Sequence, residues 1–504
     1  MTLRRRGPLL AVALALVVAA CSEAAPWPPA GDVTTTDAPA WTLVEVSPSS
    51  TIPSPDLAST TTEPDAPPAS LDPAAVGSDG VGDPYFPELG NGGYDVRHYL
   101  IEVTVDPVAG TIQGTTTITA TATQDLARLN LDLAGELLVG TVTVDGVDAG
   151  VSRRGDEMAV TPATALAMGR DFEVAVEYEG SPPPSRVPSA DLVNGWIHDG
   201  SSVFVIAEPD AAHTWFPGND HPSDKATFTI SVTAPDGYVV ASNGRLAATT
   251  TTMSGTTFTW EMDDPMATYL ATVVVDRLER IDRPSVDGVV LRDYLPATLS
   301  DPPELQLTDE ILRFLVATFG PYPFDSYGHV VVDDFPAALE TQTMSIFGRD
   351  ALFEEVIVHE LAHQWFGNSV SPATWQDIWL NEGFATYAEW LWLEHRHGTA
   401  AVAGAVSEAL LLAPFLGDRP IGDPGVDELF GGGVYIRGAL TLHALRSEIG
   451  DDAFFTALRT FADRFRYGNA STADFIAVAE EVSGSDLDEF FDTWLFSVTL
   501  PPSP

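Results

Sequence analysis

His359 and His363 stand four residues apart in FEEVIVHELAHQWFGN, the run from Phe353 to Asn368. Apolar residues recur through it at helical spacing with no Pro or Gly before Gly367, so the run predicts a helix that Gly367-Asn368 stops. Positions i and i+4 of a helix lie one turn apart on one face, and two imidazoles placed so can share one metal ion. Glu360 follows the first histidine directly. That sets a carboxylate beside the metal face without making it a ligand, where it can take a proton from a water the metal polarises. Catalytic zinc takes three protein ligands and keeps one position open, so a third ligand is expected elsewhere. Glu382 is the candidate, in a second apolar and aromatic helical run, WLNEGFATYAEW, from Trp379 to Trp390. Thr386 and Glu389 follow it at i+4 and i+7, share its face, and are expected to orient the histidine rings. The pattern predicts hydrolysis with one zinc per chain, His359, His363 and Glu382 as ligands and Glu360 as general base.

These residues need a scaffold, and the chain of 504 residues, 45% apolar, is long enough for two or three domains with cores of their own. From GDPYFPELGNGGYDVRHY onward the pattern is one of alternating strands, among them YLIEVTVDP, TIQGTTTITATAT and DFEVAVEYEG, separated by turns rich in Gly, Asp and Pro. No helix-length segment interrupts them until about residue 300. Residues 82–285 are therefore expected to form an all-β domain, a sandwich or saddle. Residues 286–504 read as a mixed, mostly helical domain: ELQLTDEILRFLVATFG is an amphipathic helix and HVVVDDF a buried strand. Two last helices are expected to start at Ser471 and Ser485, both capping-type residues.

The amino-terminal segment reads differently. Arg4, Arg5 and Arg6 precede an apolar stretch, Gly7 to Ala20, that is short for a membrane span, and Cys21, the only cysteine, follows Val18-Ala19-Ala20. The pattern over residues 1–21 resembles a bacterial lipobox, which implies that Cys21 carries lipid and anchors the protein to the outer face of a cell membrane; plain secretion is the alternative. A single cysteine excludes an internal disulfide, so an exported fold must rest on its core. Residues 22–81, rich in Pro, Ala, Ser, Thr and Asp, are expected to be a disordered tether. Seventy-two acids against 24 bases give a net charge of −48, a surface that repels nucleic acid and anionic lipid and suits a saline medium. Lys225, the one lysine, is expected to pair with an acid.

HELAHQWFGN followed by WQDIWLNEGFATYAE resembles the zinc aminopeptidases typified by aminopeptidase N and leukotriene hydrolase, a gluzincin family, over about Gly82 to Leu500. The resemblance implies a thermolysin-like catalytic domain, with the β domain forming one wall of its site. It also implies peptide substrates with a free amino terminus. FPAALETQTM sits where the family has Gly-Ala-Met-Glu-Asn, here Ala337, Ala338, Leu339, Glu340 and Thr341, so Glu340 is the implied ligand of the substrate amine. In Phe204-VIAEPDAAHTWFPGNDHPSDKATFTI a second amine contact is implied at Glu208, or at Asp210 if the alanines are aligned instead. Tyr435, after Gly431-Gly-Gly-Val, resembles the tyrosine of Tyr-Glu-Lys-Gly, with Ile436 and Arg437 in place of Glu and Lys; the implied role is hydrogen-bond donor to the oxyanion. Larger members continue into a helical domain over the cleft, which this sequence is expected to lack. Other readings are an endopeptidase, a small-molecule hydrolase, or a tethered binding protein without chemistry. His213, His221, His395, His397 and His443 have no convergent partners in the pattern and are left out of the site.

Overall fold

The computed structural model describes residues 75–501 apart from 188 and 191; the leader, Cys21 and most of the expected tether lie outside the described residues. Residues 75–81, expected at the end of that tether, instead lie on the β domain: Gly77 N donates to Arg128 O at 2.9 Å and Val76 bridges Arg128. Backbone groups satisfied in this way hold the segment against the sheet.

Tyr94–Asp106 and Thr111–Ala122 pair antiparallel at the centre of an eight-stranded sheet, and Ala226–Ala234 joins Tyr94–Asp106 in parallel. Alternate residues such as Tyr99, Ile101, Val103 and Val105 are buried while Glu102, Thr104 and Asp106 are exposed, the period-2 pattern that gives a sheet one core face. A five-stranded sheet has Val203–Ile206 at its middle, and all four of its residues are buried. This strand leads straight to Glu208.

A second five-stranded sheet runs in the order Leu278–Val286, Val289–Pro296, Ser326–Val332, Ser345–Gly348, Ala338–Leu339. Leu278–Val286 already belongs to it, so the expected division near residue 286 falls inside a hairpin of this sheet rather than between domains. Ala338–Leu339 is its edge strand, pairing Leu339 with Ile346, and it ends at Glu340. Helices follow: Thr308–Phe319, Glu354–Ala362, Trp379–His397, Thr399–Leu412, Gly432–Ile449, Asp451–Arg464 and Thr472–Ser483. Every residue from Trp379 to Ala388 is buried, because this helix passes between its neighbours rather than over them. Ser471 caps its helix with a reciprocal Ser471–Asp474 box as expected. Ser485 does not: the last short helix, Asp488–Phe491, has no side-chain cap. Among the described residues no helix is long and apolar enough to cross a membrane.

Candidate active site

The helix Glu354–Ala362 is shorter than its sequence pattern predicts. It ends at Ala362, with His363 as its last helical residue by backbone angles and its N–H still bonded to His359 O at 3.2 Å. Beyond it the amides of Gln364 and Trp365 reach back three residues, and those of Asn368, Ser369 and Val370 reach back five, to His363, Gln364 and Trp365, so the chain leaves in tight turns and then in wide ones that span Gly367. The i, i+4 relation of the histidines survives, their ring centroids 4.6 Å apart.

Each ring is fixed through its outer nitrogen. His359 Nδ1 meets Glu389 Oε1 at 2.8 Å, and His363 Nδ1 donates to Phe366 O at 3.0 Å. Both Nε2 atoms thereby face Glu382 Oε2, at 3.2 Å and 3.6 Å. The three ligand atoms lie within 4.8 Å of one another, an N, N, O set suited to zinc. Electrostatics agree: burial pushes the Glu382 carboxyl up, yet the two imidazoles outweigh it and hold the group down to about 2. Burial lowers the pKa of His359 and His363, but facing carboxylates outweigh it and both end raised, His363 to about 9. A point that draws a proton this strongly also draws a divalent cation. Thr386 lines the same cavity but touches neither imidazole, since Glu389 and the Phe366 carbonyl already occupy both outer nitrogens; its hydroxyl has no partner.

Glu360, Glu340 and Glu208 line the cavity, whose volume is about 200 Å³. Glu340 is buried, its Oε1 is 3.6 Å from His363 Nδ1, and that oxygen accepts no hydrogen bond. Glu208 arrives from the β domain, groups with Glu340 and Glu382 within 4.8 Å, and also keeps Oε1 unpaired. Ile206 and Glu208 both line the cavity, as alternate residues of an extended segment do. Asp210 does not, because the chain turns after Ala207, with Ala211 N donating to Ala207 O at 2.8 Å, and Asp210 is left beside Asn194 and His213. Burial, then the neighbouring carboxylates, raise the pKa of Glu208; burial raises that of Glu340, and Glu360 stands at about 8. Buried acids with unpaired oxygens form a cradle for cationic groups.

Tyr435 is in the first turn of Gly432–Ile449, its ring stacked at 6.0 Å on that of His359. Burial and the surrounding carboxylates raise its pKa well above the usual phenol value, so it is a hydrogen-bond donor at neutral pH.

Two features escaped the sequence reading. Gln364 Nε2 and Asn368 Nδ2 donate to Glu340 O at 3.1 Å and 2.6 Å, so the residues just past the histidines hold the edge strand that carries Glu340. Their place in HELAHQWFGN was visible; their partner was not. Among the described residues Lys225 pairs with no acid: its buried Nζ donates to Asn368 O at 2.8 Å and Ser369 O at 3.0 Å, pinning the β domain to the same turn. His213 and His221 are structural, bound to Asp220 and Asp83.

Residues 95–270 match the Peptidase M1 N-terminal domain and residues 304–494 the Peptidase family M1 domain. A solved two-domain M1 zinc metallopeptidase, a mutant bound to L-tryptophan, superposes with a TM-score of 0.79 at 33% identity, covering 84% of this chain and 99% of that one. The chain belongs to the peptidase M1 family. An M1 zinc metallopeptidase mutant from Deinococcus radiodurans bound to a Tyr-Ser-Ala substrate matches at 34% identity, with the same coverage and TM-score. Among curated proteins, aminopeptidase M1-C of Oryza sativa subsp. japonica is 28% identical over 404 residues, 70% of this chain and 45% of that protein. Glutamyl aminopeptidase of Homo sapiens is 28% identical over 342 residues, 61% of this chain and 35% of that protein. The chain thus spans half or less of the length of these curated relatives. As an M1 member it has the expected β-rich domain followed by a helical catalytic domain.

Proposed function

We propose that this protein is an aminopeptidase that removes single residues from the free amino ends of peptides, using one zinc ion per chain held by His359, His363 and Glu382. The observation that carries this is the meeting of Glu340, from the edge of the catalytic sheet, with Glu208, from the β domain, in the cavity beside Glu382. An ammonium there gains charge-assisted hydrogen bonds of about 1.5–3 kcal/mol that a blocked amine or an internal peptide bond does not form. That sets the first peptide carbonyl beside the histidines. Zinc bound at the site supplies Lewis-acid polarisation of that carbonyl and of the attacking water. Glu360, whose Oε2 has no partner among the described residues, takes the proton from the water and returns it to the departing nitrogen. The Tyr435 hydroxyl donates to the oxygen that gains charge as the carbonyl becomes tetrahedral.

The test compares a peptide with its amino-acetylated form. The free peptide should be shortened one residue at a time and the blocked one should be a poor substrate. Equal cleavage of both, or internal cuts first, would establish an endopeptidase instead, and no hydrolysis of any aminoacyl anilide by zinc-loaded protein would favour a binding role. We also propose that Cys21 carries a lipid anchor, supported by the small residues before it. Cys21→Ser should then release the protein from membranes or leave it unprocessed; recovery of unmodified Cys21 in the medium would show secretion.

A further inference from the structure

Glu355 lies one turn before His359 on the same face of the helix and lines the same cavity. The helix therefore presents Glu355, His359 and His363 in order along its axis, about 5.4 Å per turn. Glu340 stands at the His363 end of that row, and Glu208 joins it. With its amine held there and its first carbonyl between the two histidines, a peptide must run on toward His359 and Glu355. The side chain of its second residue comes to the Glu355 end.

Glu355 is half-buried and, among the described residues, makes no hydrogen bond or ion pair. Its neighbours are engaged: Glu354 Oε1 accepts from Trp392 Nε1 at 2.7 Å, and Glu389 holds His359. No lysine or arginine lines the cavity to neutralise it.

Building on the aminopeptidase reading, we propose that Glu355 selects the second residue of the substrate, so that peptides with lysine or arginine there are preferred to those with glutamate or aspartate. A partly buried carboxylate with no internal partner attracts an ammonium or guanidinium and repels another carboxylate, and the two effects add in the ratio of the two substrates.

The test is the ratio of kcat/KM for Leu-Lys-Ala over Leu-Glu-Ala with the zinc-loaded full chain. The wild type should prefer the lysine peptide by about tenfold, twice the worth of one half-exposed charge pair. Glu355→Gln should bring the ratio down to about threefold or less and Glu355→Lys should invert it. Zinc content and melting temperature serve to show that both variants are folded. A wild-type ratio near one, or a ratio that Glu355→Gln leaves unchanged, overturns the assignment while the aminopeptidase reading stands. If neither peptide loses its leucine, the aminopeptidase reading falls and takes the assignment with it.

Discussion

Gly383 and Gly438 face each other where the helices Trp379–His397 and Gly432–Ile449 cross. A Cβ on Gly438 would lie 2.7 Å from Gly383 Cα, and one on Gly383 2.9 Å from Gly438 Cα. Glu382 precedes the first glycine by one residue and Tyr435 precedes the second by three, so this close approach sets the spacing of the proposed metal ligand from the proposed oxyanion donor. Backbone cannot swing aside as a side chain can. Gly438→Ala should therefore part the helices, lower the urea unfolding midpoint by an amount equivalent to about 1–3 kcal/mol, and reduce kcat. Unchanged unfolding and turnover would mean that the crossing adapts without moving the site.

Glu389 orients His359, one of the proposed zinc ligands. With Nδ1 bonded at 2.8 Å the ring is held with Nε2 toward Glu382. Glu389→Ala should weaken zinc binding by about 10–100-fold, measured by competition with a chelator, while Thr386→Ala, which removes a hydroxyl bonded to neither histidine, should leave it near the wild-type value. Equal losses in the two variants would contradict the geometry.

Glu360 provides the cleanest separation of binding from chemistry. It is no ligand of the proposed metal, yet its unpaired Oε2 lines the site. Glu360→Gln should keep zinc and lose at least about 100-fold in kcat, as removal of a general base does. A variant that binds zinc and retains full rate would end its assignment.

The convergence of His359, His363 and Glu382, the proposed zinc ligands, was legible in the sequence because helical periodicity alone brings His359 and His363 onto one face, and because Glu382 with Glu389 repeats the same logic on a second helix. The β domain was legible through its period-2 burial. What stayed hidden depends on contacts distant in sequence. Glu208 and Asp210 carry the same chemistry two residues apart, and only the turn after Ala207 separates them. Gly383 and Gly438 are unremarkable in their own helices and matter only where those helices cross. The helix end at Ala362 was missed because nothing breaks the apolar pattern there: the amides of His363 to Phe366 still reach back three or four residues, and bonds spanning five residues begin only with the amides of Asn368 to Val370. Lys225 was expected to seek a carboxylate, as the one lysine in a strongly acidic chain, but it is buried where only carbonyls are in reach.

That placement of Lys225 has a consequence for stability against pH. Burial lowers its pKa from 10.5 to about 7, and its acceptors, Asn368 O and Ser369 O, carry no full charge. Below pH 7 both folded and unfolded chains carry the charge, and the cost of burying it is present in full. Between about pH 7 and 10.5 the unfolded chain binds the proton and the folded one does not, so stability from this group rises with pH across that window. In Lys225→Met the term is gone, and Ser369 O loses its donor at every pH. The wild type should therefore exceed Lys225→Met in urea unfolding midpoint by more at pH 9.5 than at pH 6.5, with about 1–3 kcal/mol of the difference at high pH coming from the orphaned Ser369 carbonyl. Taking the difference between the two proteins cancels every other titrating group that the substitution leaves alone. A gap that is constant across the window would show that Lys225 keeps its proton on folding. A gap that shrinks with rising pH would show that the buried ammonium itself stabilises the turn.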